Sequence, residues 1–398
     1  SEPPAALSGG LSEEEVLALL AGRSALLVAG TEPELAIGLA EGLVGVGADV
    51  LLACARPDSC ARRVAALNAR AERRGVVAGC EVRRLDLCDP LAVWEFAERV
   101  EAEHRPLHVF VNCADDVFPF FSRAPCGWER SLGTNHLGPL LLSTLLSEQM
   151  AATMRHDARA HAKARRRRRA EAEVRAERAG DRSDVGDLAA DKAIELQARP
   201  FPYPLGRILT VGASARKERG MLAVLDPLSR LKYSPFGART RSLRANTLIA
   251  VHLARQFRDM PLEDGSFIEV SAFHPGRGRW LPRPIRRLVG SLRTPSYTAA
   301  FLATNPTRGM TGILMEDFSS SEAWRGAGAI LGGSGAPTLA RIAAVAYNAS
   351  SALAGCPPMP WENEQIAAAL GGRARALRRR AAVRQPARKP PQGDEAWG

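Results

Sequence analysis

Two neighbouring stretches decide the fold, RILTVGASARKERG at 207–220 and KYSPFGARTRSLRAN at 232–246. The first opens with a short apolar run that ends in Gly-Ala-Ser, which is typical of a buried strand followed by a loop. From the second stretch onward, to about Phe257, apolar residues recur at helical spacing: Leu243, Leu248, Val251 and Leu253. The pair therefore predicts a strand, a loop and a long helix.

The start of the chain has a similar organisation. The segment 24–56, SALLVAGTEPELAIGLAEGLVGVGADVLLACAR, reads as a strand, a glycine turn, a helix and a second strand. Alternation of strands and helices is the pattern of a parallel sheet covered by helices. We therefore predict an α/β fold of the Rossmann type, a doubly wound parallel sheet with a nucleotide crevice at the carboxyl ends of its strands.

These stretches resemble the short-chain dehydrogenase/reductase family, and most closely its retinol-dehydrogenase-like branch. The glycine turn at 30–36, VNCAD at 111–115, NHLG at 135–138 and RTRSLRAN at 239–246 correspond in order to four family motifs. The resemblance implies one Rossmann domain built from 24–154 and 204–354. The remaining segments are then an N-terminal arm at 1–23, an Arg/Ala-rich insert at 155–203 and a basic tail at 355–398.

The resemblance fails at the positions that carry the family's chemistry. The serine position is Ala213, the position of the general acid/base tyrosine is Arg239, and the lysine position is Leu243. Proton transfer by a placed group contributes about 10²–10⁴-fold to a rate, and neither arginine nor leucine supplies it at neutral pH. The family's catalytic asparagine is retained as Asn135. The resemblance therefore implies a catalytically degenerate member, a pseudoenzyme.

The glycine turn that holds the cofactor diphosphate is altered as well. Gly30 is retained, but the second and third glycines of the motif are replaced by Glu34 and Ala36. A carboxylate at position 34 would repel a diphosphate. Trp280 stands where the family usually has a phosphate-binding threonine. We therefore expect that the chain binds no cofactor. If it does bind one, we expect NADP(H).

Two other family positions connected with the nucleotide are kept. Asp86 matches the aspartate that contacts adenine, although an aspartate at a strand end also caps the following helix. Asn112 matches the asparagine that braces the central sheet. With Arg56, these residues leave open a nucleotide-binding sensor without turnover.

The charge of the chain points to an acidic partner. Its 398 residues carry a formal net charge of +11, and five consecutive arginines, Arg165 to Arg169, lie in the insert. Guanidinium groups bind phosphate in a bidentate manner, so RNA or anionic lipid is a candidate partner of the insert and tail, with a solvated, disordered insert as the alternative. No apolar run of about 18 residues predicts a membrane-spanning helix. Seven scattered cysteines without metal-binding spacing predict reduced, buried thiols and no metal site.

Three functions follow from these features. The first is a non-catalytic structural or accessory subunit of a large mitochondrial assembly, either a ribosome-like ribonucleoprotein or a respiratory or ATP-synthase complex. The Arg-rich extensions would anchor it to other subunits, and a chain that starts at Ser1 suits a processed precursor. The second is an NADP-dependent short-chain oxidoreductase that acts on a lipophilic carbonyl or alcohol through Ser214 and Tyr233. The third is the nucleotide sensor.

Overall fold

A computed structural model describes residues 22–45, 47–179, 206–213, 233–274, 311 and 314–315. Its sheet has seven parallel strands in the order β3-β2-β1-β4-β5-β6-β7. The strands are β1 (Ser24–Val28), β2 (Asp49–Cys54), β3 (Cys80–Arg84), β4 (Val109–Asn112), β5 (Arg207–Val211), β6 (Glu269–Phe273) and β7 (Leu314–Met315). This order confirms the predicted doubly wound parallel sheet.

Helices cover both faces of the sheet. They are α1 (Glu34–Gly45), α2 (Asp58–Arg73), α3 (Pro90–Ala102), α4 (Arg130–Leu132), a π-helical turn (Gly133–Leu137), α5 (Gly138–Leu145), α6 (Ser147–Ala179) and α7 (Pro235–Asp259). The central strands β1 and β4 are mostly apolar because both of their faces are buried, whereas the edge strand β3 carries Glu81, Arg83 and Arg84. Within β1, Leu26 and Val28 belong to one core cluster, whereas Ala25 and Leu27 belong to the other.

Helix α3 shows how the loops at the carboxyl edge of the sheet are fixed. Its N-cap is Asp89, whose carboxylate accepts from Leu91 N at 2.9 Å, and Pro90 occupies the first turn. The alternative role predicted for Asp86, capping this helix, is therefore wrong. Asp86 instead accepts a hydrogen bond from Cys88 N at 2.9 Å, one turn earlier.

The insert begins as a helix. Helix α6 is a single helix of 33 residues, so the predicted boundary at 155 falls inside it. Its first turns are buried through Met150 and Met154. Asp157 then forms an ion pair with Arg23, and its Oδ2 lies 3.3 Å from His108 Nε2. The rest of the insert, the chain before Gly22 and the tail at 355–398 lie outside the described residues.

The cysteines agree with the prediction of reduced thiols. The six cysteines within the described residues are free, and all except Cys126 are buried. Burial raises the pKa of Cys54, Cys80 and Cys88 to about 12, which keeps these thiols protonated. Of the helices in the described part of the chain, none is both long and apolar enough to cross a bilayer.

Substitution of two helical glycines by alanine tests this packing, because the two changes in the free energy of unfolding should have opposite signs. A Cβ at Gly138 would overlap the backbone carbonyl of Leu87, whereas a Cβ at Gly42, on the exposed side of α1, meets nothing within 4 Å. Gly138→Ala should lower the free energy of unfolding by about 1–3 kcal/mol, as overpacking against backbone does. Gly42→Ala should raise it by about 0.5–1 kcal/mol. Urea unfolding measures both, and a stable Gly138→Ala variant would contradict the packing described.

Candidate active site

The candidate site lies at the topological switch point of the sheet. Strands β1 and β4 are neighbours, and the chain builds the sheet outward from them in opposite directions. Ligands of doubly wound sheets bind in the crevice at this point, beyond the carboxyl ends of the strands. Two segments meet there, residues 29–33 after β1 and residues 113–118 after β4.

The glycine turn after β1 is occupied by a side chain of the protein. Asp116 Oδ2 accepts from Thr31 N at 2.6 Å and from Thr31 Oγ1 at 2.9 Å, while Oδ1 accepts from Glu32 N at 3.3 Å. A Cβ at Gly30 would overlap the same carboxylate. The absence of a side chain at Gly30 therefore provides the space that Asp116 fills.

This carboxylate lies where helix α1 attracts an anion. The amides of Thr31 and Glu32 precede the first turn of α1, and the N-terminus of a helix carries a partial positive charge and unsatisfied N–H groups. Phosphate groups bind at such positions in dinucleotide-binding folds. Asp116, which is only 2 % exposed, supplies the negative charge and the hydrogen-bond acceptors from within the chain.

Asn135 holds Asp116 in place. Its side-chain Oδ1 accepts from Asp116 N at 2.8 Å, and its Nδ2 donates to Asp116 O at 2.9 Å and to Ser242 Oγ at 3.2 Å. The retained asparagine is thus fully engaged with the protein. It stands in the π-helical turn Gly133–Leu137, whose irregular pairing leaves the Asn135 carbonyl available to other donors.

Two further asparagines use that carbonyl. Asn112 Nδ2 donates to Asn135 O at 3.1 Å and to Thr210 Oγ1 at 3.1 Å, and so joins β4, the π-helical turn and β5. Asn246 Nδ2 donates to Asn135 O and to Val211 O, both at 2.9 Å. This network confirms the bracing role expected of Asn112, since it ties the central strands to α7.

Arg239, at the tyrosine position, forms a buried ion pair with Asp115. Arg239 Nε lies 2.6 Å from Asp115 Oδ1, and Nη2 donates to Oδ2 at 2.8 Å. The exposed fractions of the two side chains are 13% and 1%. The fork of the guanidinium matches the carboxylate in two contacts, so this pair is geometrically fixed. It occupies the position at which the resemblance expects a proton-transferring hydroxyl.

The residues at the lysine and serine positions, Leu243 and Ala213, pack against the apolar core. Leu243 is 2 % exposed and belongs to the core cluster that contains Leu27 and Val111, and Ala213 packs against this cluster. The Ala213 amide donates to Leu243 O at 3.3 Å, which joins the two positions through the backbone. Neither residue offers a proton or a charge.

Of the two residues of the alternative catalytic hypothesis, Tyr233 lies beside the segment 113–118, but its hydroxyl is engaged by the backbone. Tyr233 donates its hydroxyl proton to Phe118 O at 2.7 Å, and its ring meets Phe121 edge-on at 5.7 Å. Burial raises the pKa of Tyr233, so the phenol is a weaker acid than usual. Ser214 lies outside the described residues, as does Trp280.

The predicted nucleotide-binding side chains have other partners. Glu34 Oε1 lies 4.0 Å from Arg63 Nη1 on the neighbouring helix α2, and Ala36 is completely buried. Arg56 Nη2 donates to Thr31 O at 3.3 Å, so this arginine supports the same turn that Asp116 fills. Asp86 is exposed at the end of the strand that precedes α3.

Within the described residues, the turn after β1 does not fit the diphosphate of a dinucleotide in this conformation. The diphosphate of such a cofactor requires the amides after Gly30, and the Asp116 carboxylate has already taken them. A second anion brought to that carboxylate would be repelled. Within the described part of the chain, no group of three or more His, Cys, Asp or Glu side chains is placed to hold a metal ion.

Sequence reasoning missed Asp116, Thr31 and Ser242. The signal available was the pair Asp115–Asp116 directly after β4, where the resemblance expects glycine at the first position. Two adjacent carboxylates at a switch point suggest that one of them takes the place of a bound anion. The residues that they contact lie far away in the sequence, so the sequence does not reveal them.

The fold and this cleft define a Rossmann-type dehydrogenase architecture, and comparisons with known proteins agree. The chain is 42% identical over 69 residues to retinol dehydrogenase 12 of Mus musculus, covering 17% of the chain and 22% of that protein. It is 33% identical over 127 residues to retinol dehydrogenase 11 of the same species, covering 31% and 38%. Similarity to the polyprenol dehydrogenase of Mus musculus, at 26% identity over 251 residues, covers 60% of each chain.

Solved structures match the chain only at low identity and low TM-score. A metagenomic short-chain oxidoreductase in complex with NADP has a TM-score of 0.46 and 16% identity, and the match covers 75% of this chain and 99% of the other. The L-sorbose reductase of Gluconobacter frateurii has a TM-score of 0.46 and 14% identity, with 76% and 98% covered. No family model matches the chain.

The sequence similarities and the order of the strands support the resemblance of the chain to retinol-dehydrogenase-like members of the short-chain dehydrogenase/reductase family. The match to retinol dehydrogenase 12 spans only about a fifth of that relative's length, 22%. The similarity therefore supports the fold, whereas the activity, substrate and partners of this chain can only be proposed.

The ion pair in the cleft yields a prediction about substitution toward the family residues. Arg239→Tyr should lower the free energy of unfolding by about 3–5 kcal/mol, because it leaves the buried Asp115 carboxylate without its cation. Adding Asp115→Gly should recover most of this loss. Urea unfolding of both single variants and the double variant completes the cycle. Additive losses would contradict the coupling of the two residues.

A second prediction concerns pH, through His136 in the π-helical turn. Its Nδ1 lies 2.8 Å from Asn246 Oδ1, and burial lowers the pKa of His136 from 6.5 to about 4. Between these values the unfolded chain binds a proton that the folded chain does not, so stability falls as pH falls. The loss attributable to His136 should be about 2 kcal/mol from about pH 7 to about pH 5.

His136→Asn should therefore reduce the pH dependence of the free energy of unfolding over that range. His156 provides the matched control, because its side chain is 84% exposed. His156→Asn should leave the dependence unchanged. His108, whose pKa burial lowers to about 3, adds to the same trend in all three proteins. A full pH dependence in the His136→Asn variant would contradict the assignment.

Proposed function

We propose that this oxidoreductase-like protein does not transfer hydride, and that its own side chains fill the cleft in which its relatives' fold would hold a dinucleotide. The observation that carries the proposal is the Asp116 carboxylate on the amides of Thr31 and Glu32. It supports a non-catalytic role for the family fold in this chain.

Binding of a dinucleotide would require Asp116 to move. Its carboxylate would lose three donors, and its backbone is held on both sides by Asn135. A buried charged group that loses its partners costs several kcal/mol, and a diphosphate at the same amides would add repulsion. The free energy of binding would have to exceed both terms before any affinity became measurable.

Proton transfer also lacks a donor at the expected place. Arg239 keeps its proton at every working pH and is neutralised by Asp115, and Leu243 has no charge to lower the pKa of a neighbour. The hydroxyl of Tyr233 donates to Phe118 O, so its proton is engaged by the backbone. These observations support the loss of turnover independently of cofactor binding.

The further hypothesis of a subunit in a mitochondrial assembly rests on composition and charge alone. The comparisons give it no support, and neither does any contact within the described residues. It remains a hypothesis about how a non-catalytic domain is used. The third hypothesis, a sensor without turnover, requires a bound nucleotide. The Asp116 carboxylate disfavours such binding because it occupies the amides that a diphosphate would use.

The second candidate function is an NADP-dependent oxidoreductase for a lipophilic carbonyl or alcohol. The names of the curated relatives, retinol dehydrogenase and polyprenol dehydrogenase, favour it over a structural subunit. The side chains in the cleft favour the first function. The two differ in one measurable property, because only the oxidoreductase must bind a nicotinamide dinucleotide.

Calorimetric titration with NADPH and NADH tests the proposal. The wild-type chain should show no binding up to about 1 mM, which corresponds to about −4 kcal/mol. Asp116→Ala frees the amides of the turn and should raise the affinity for NADPH by about tenfold or more. Asp116→Asn keeps the size of the side chain and should show a smaller gain, which separates charge from space.

Glu41→Ala is the matched control, because it removes one negative charge from the exposed side of helix α1. It should bind no better than the wild type. Micromolar binding of NADPH to the wild-type chain would contradict the proposal and leave the oxidoreductase function standing. Hydride transfer to a lipophilic aldehyde, followed at the nicotinamide absorbance, would contradict it outright.

A further inference from the structure

Beyond the cleft, helix α6 carries a basic surface away from the domain. Every described side chain from Ala162 to Glu171 is exposed, although the helix is continuous with the buried turns at Met150 and Met154. The helix thus passes from core packing to solvent without a break. Its exposed part is independent of the proposed function.

Four basic side chains on α6 form a stripe, which we call the basic stripe: Arg155, Arg159, Lys163 and Arg166. At 3.6 residues per turn they fall within an arc of about 80° and follow one another at about one turn each. The buried side of the helix, marked by Met150 and Met154, lies nearly opposite. Arg159, Lys163 and Arg166 are exposed, and Arg155 is half-buried.

The direction of the stripe is fixed by contacts at its base. Asp157 forms an ion pair with Arg23 and lies 3.3 Å from His108 Nε2, so the helix cannot rotate without breaking both contacts. The Ser24 amide donates to His108 Nδ1 at 3.0 Å, which connects the same group to strand β1. A charged surface held in this way loses little conformational freedom on binding.

We infer that the basic stripe binds the phosphate backbone of a duplex nucleic acid. Cations spaced about one helical turn apart on one straight face match a regular row of phosphates, and the major groove of B-form DNA is wide enough to admit an α-helix. The deep, narrow major groove of an RNA duplex leaves only its outer phosphates to such a helix. Arginine side chains also suit phosphate because their donors are arranged as a fork. Sequence-independent binding is expected, since backbone contacts carry no base information.

The composition of the segment disfavours partners that are bound through apolar contacts. Residues 155–171 contain no apolar side chain larger than alanine. A helix that lies on a membrane needs a bulky apolar face, and a helix that docks on a protein needs aromatic or aliphatic anchors. Charge is therefore the dominant means of binding that this segment offers.

The stripe refines the prediction that Arg165 to Arg169 contact a polyanion. Arg166 belongs to the stripe, whereas Arg167 Nε lies 2.6 Å from Glu171 Oε1 and is paired within the helix. The side chains of Arg165, Arg168 and Arg169 lie outside the described part of the chain. Spacing along one face, rather than the unbroken run, identifies the residues to change.

The test is fluorescence anisotropy with a short labelled RNA duplex and a DNA duplex of the same sequence, using the full chain. The stripe variant replaces Arg155, Arg159, Lys163 and Arg166 by Gln. The control variant replaces by Gln three exposed arginines of α2, Arg62, Arg70 and Arg73, and the exposed Arg74 that follows the helix, so that both variants lose the same charge. Circular dichroism establishes that each variant is folded.

Four phosphate contacts predict a slope of about −3.6 for the logarithm of affinity against the logarithm of salt concentration. The stripe variant should lose most of this slope and on the order of 10²-fold in affinity at about 50 mM salt, and the control should retain both. A preference for RNA or for DNA identifies the kind of duplex. Equal losses in both variants, no duplex binding by the wild type, or binding to phosphatidylserine vesicles instead of duplexes would each overturn the inference.

Discussion

The contact between the Asp116 carboxylate and the N-terminus of helix α1 is the interaction on which the site depends. A helix that begins at the switch point presents unsatisfied amides, and these require an acceptor. Because Asp116 provides it, no ligand has to approach the turn, and only Gly30 must lack a side chain. Glu34 lies 4.0 Å from Arg63, and Ala36 packs in the core.

The other replaced side chains in the described part of the cleft follow the same rule, since each contacts a partner inside the protein. Arg239 is matched by Asp115, and Leu243 and Ala213 are matched by the apolar cluster beneath the sheet. The retained asparagines survive for a structural reason, because Asn112, Asn135 and Asn246 connect the central strands to the π-helical turn and α7. Within the described residues, the side chains at these positions are thus packed or neutralised by neighbours in the protein.

The sequence was sufficient for the fold, because short apolar strands alternate with helices at the spacing of a known family. It also identified Arg239 and Leu243 as departures, since these stand at fixed distances from other motifs. It did not identify Asp116, whose partner Thr31 lies 85 residues earlier and only meets it once β1 and β4 are neighbours. The direction of the basic stripe was equally hidden, because it depends on which side of α6 packs against the domain.

A crystal structure of the wild-type chain grown in excess NADPH tests the central claim most directly. If the chain closes its own cleft, the Asp116 carboxylate will remain on the amides of Thr31 and Glu32, with Asn135 on either side of its backbone, and the turn will hold no dinucleotide. A diphosphate bound to those amides, with Asp116 displaced, would contradict the account and favour an oxidoreductase function.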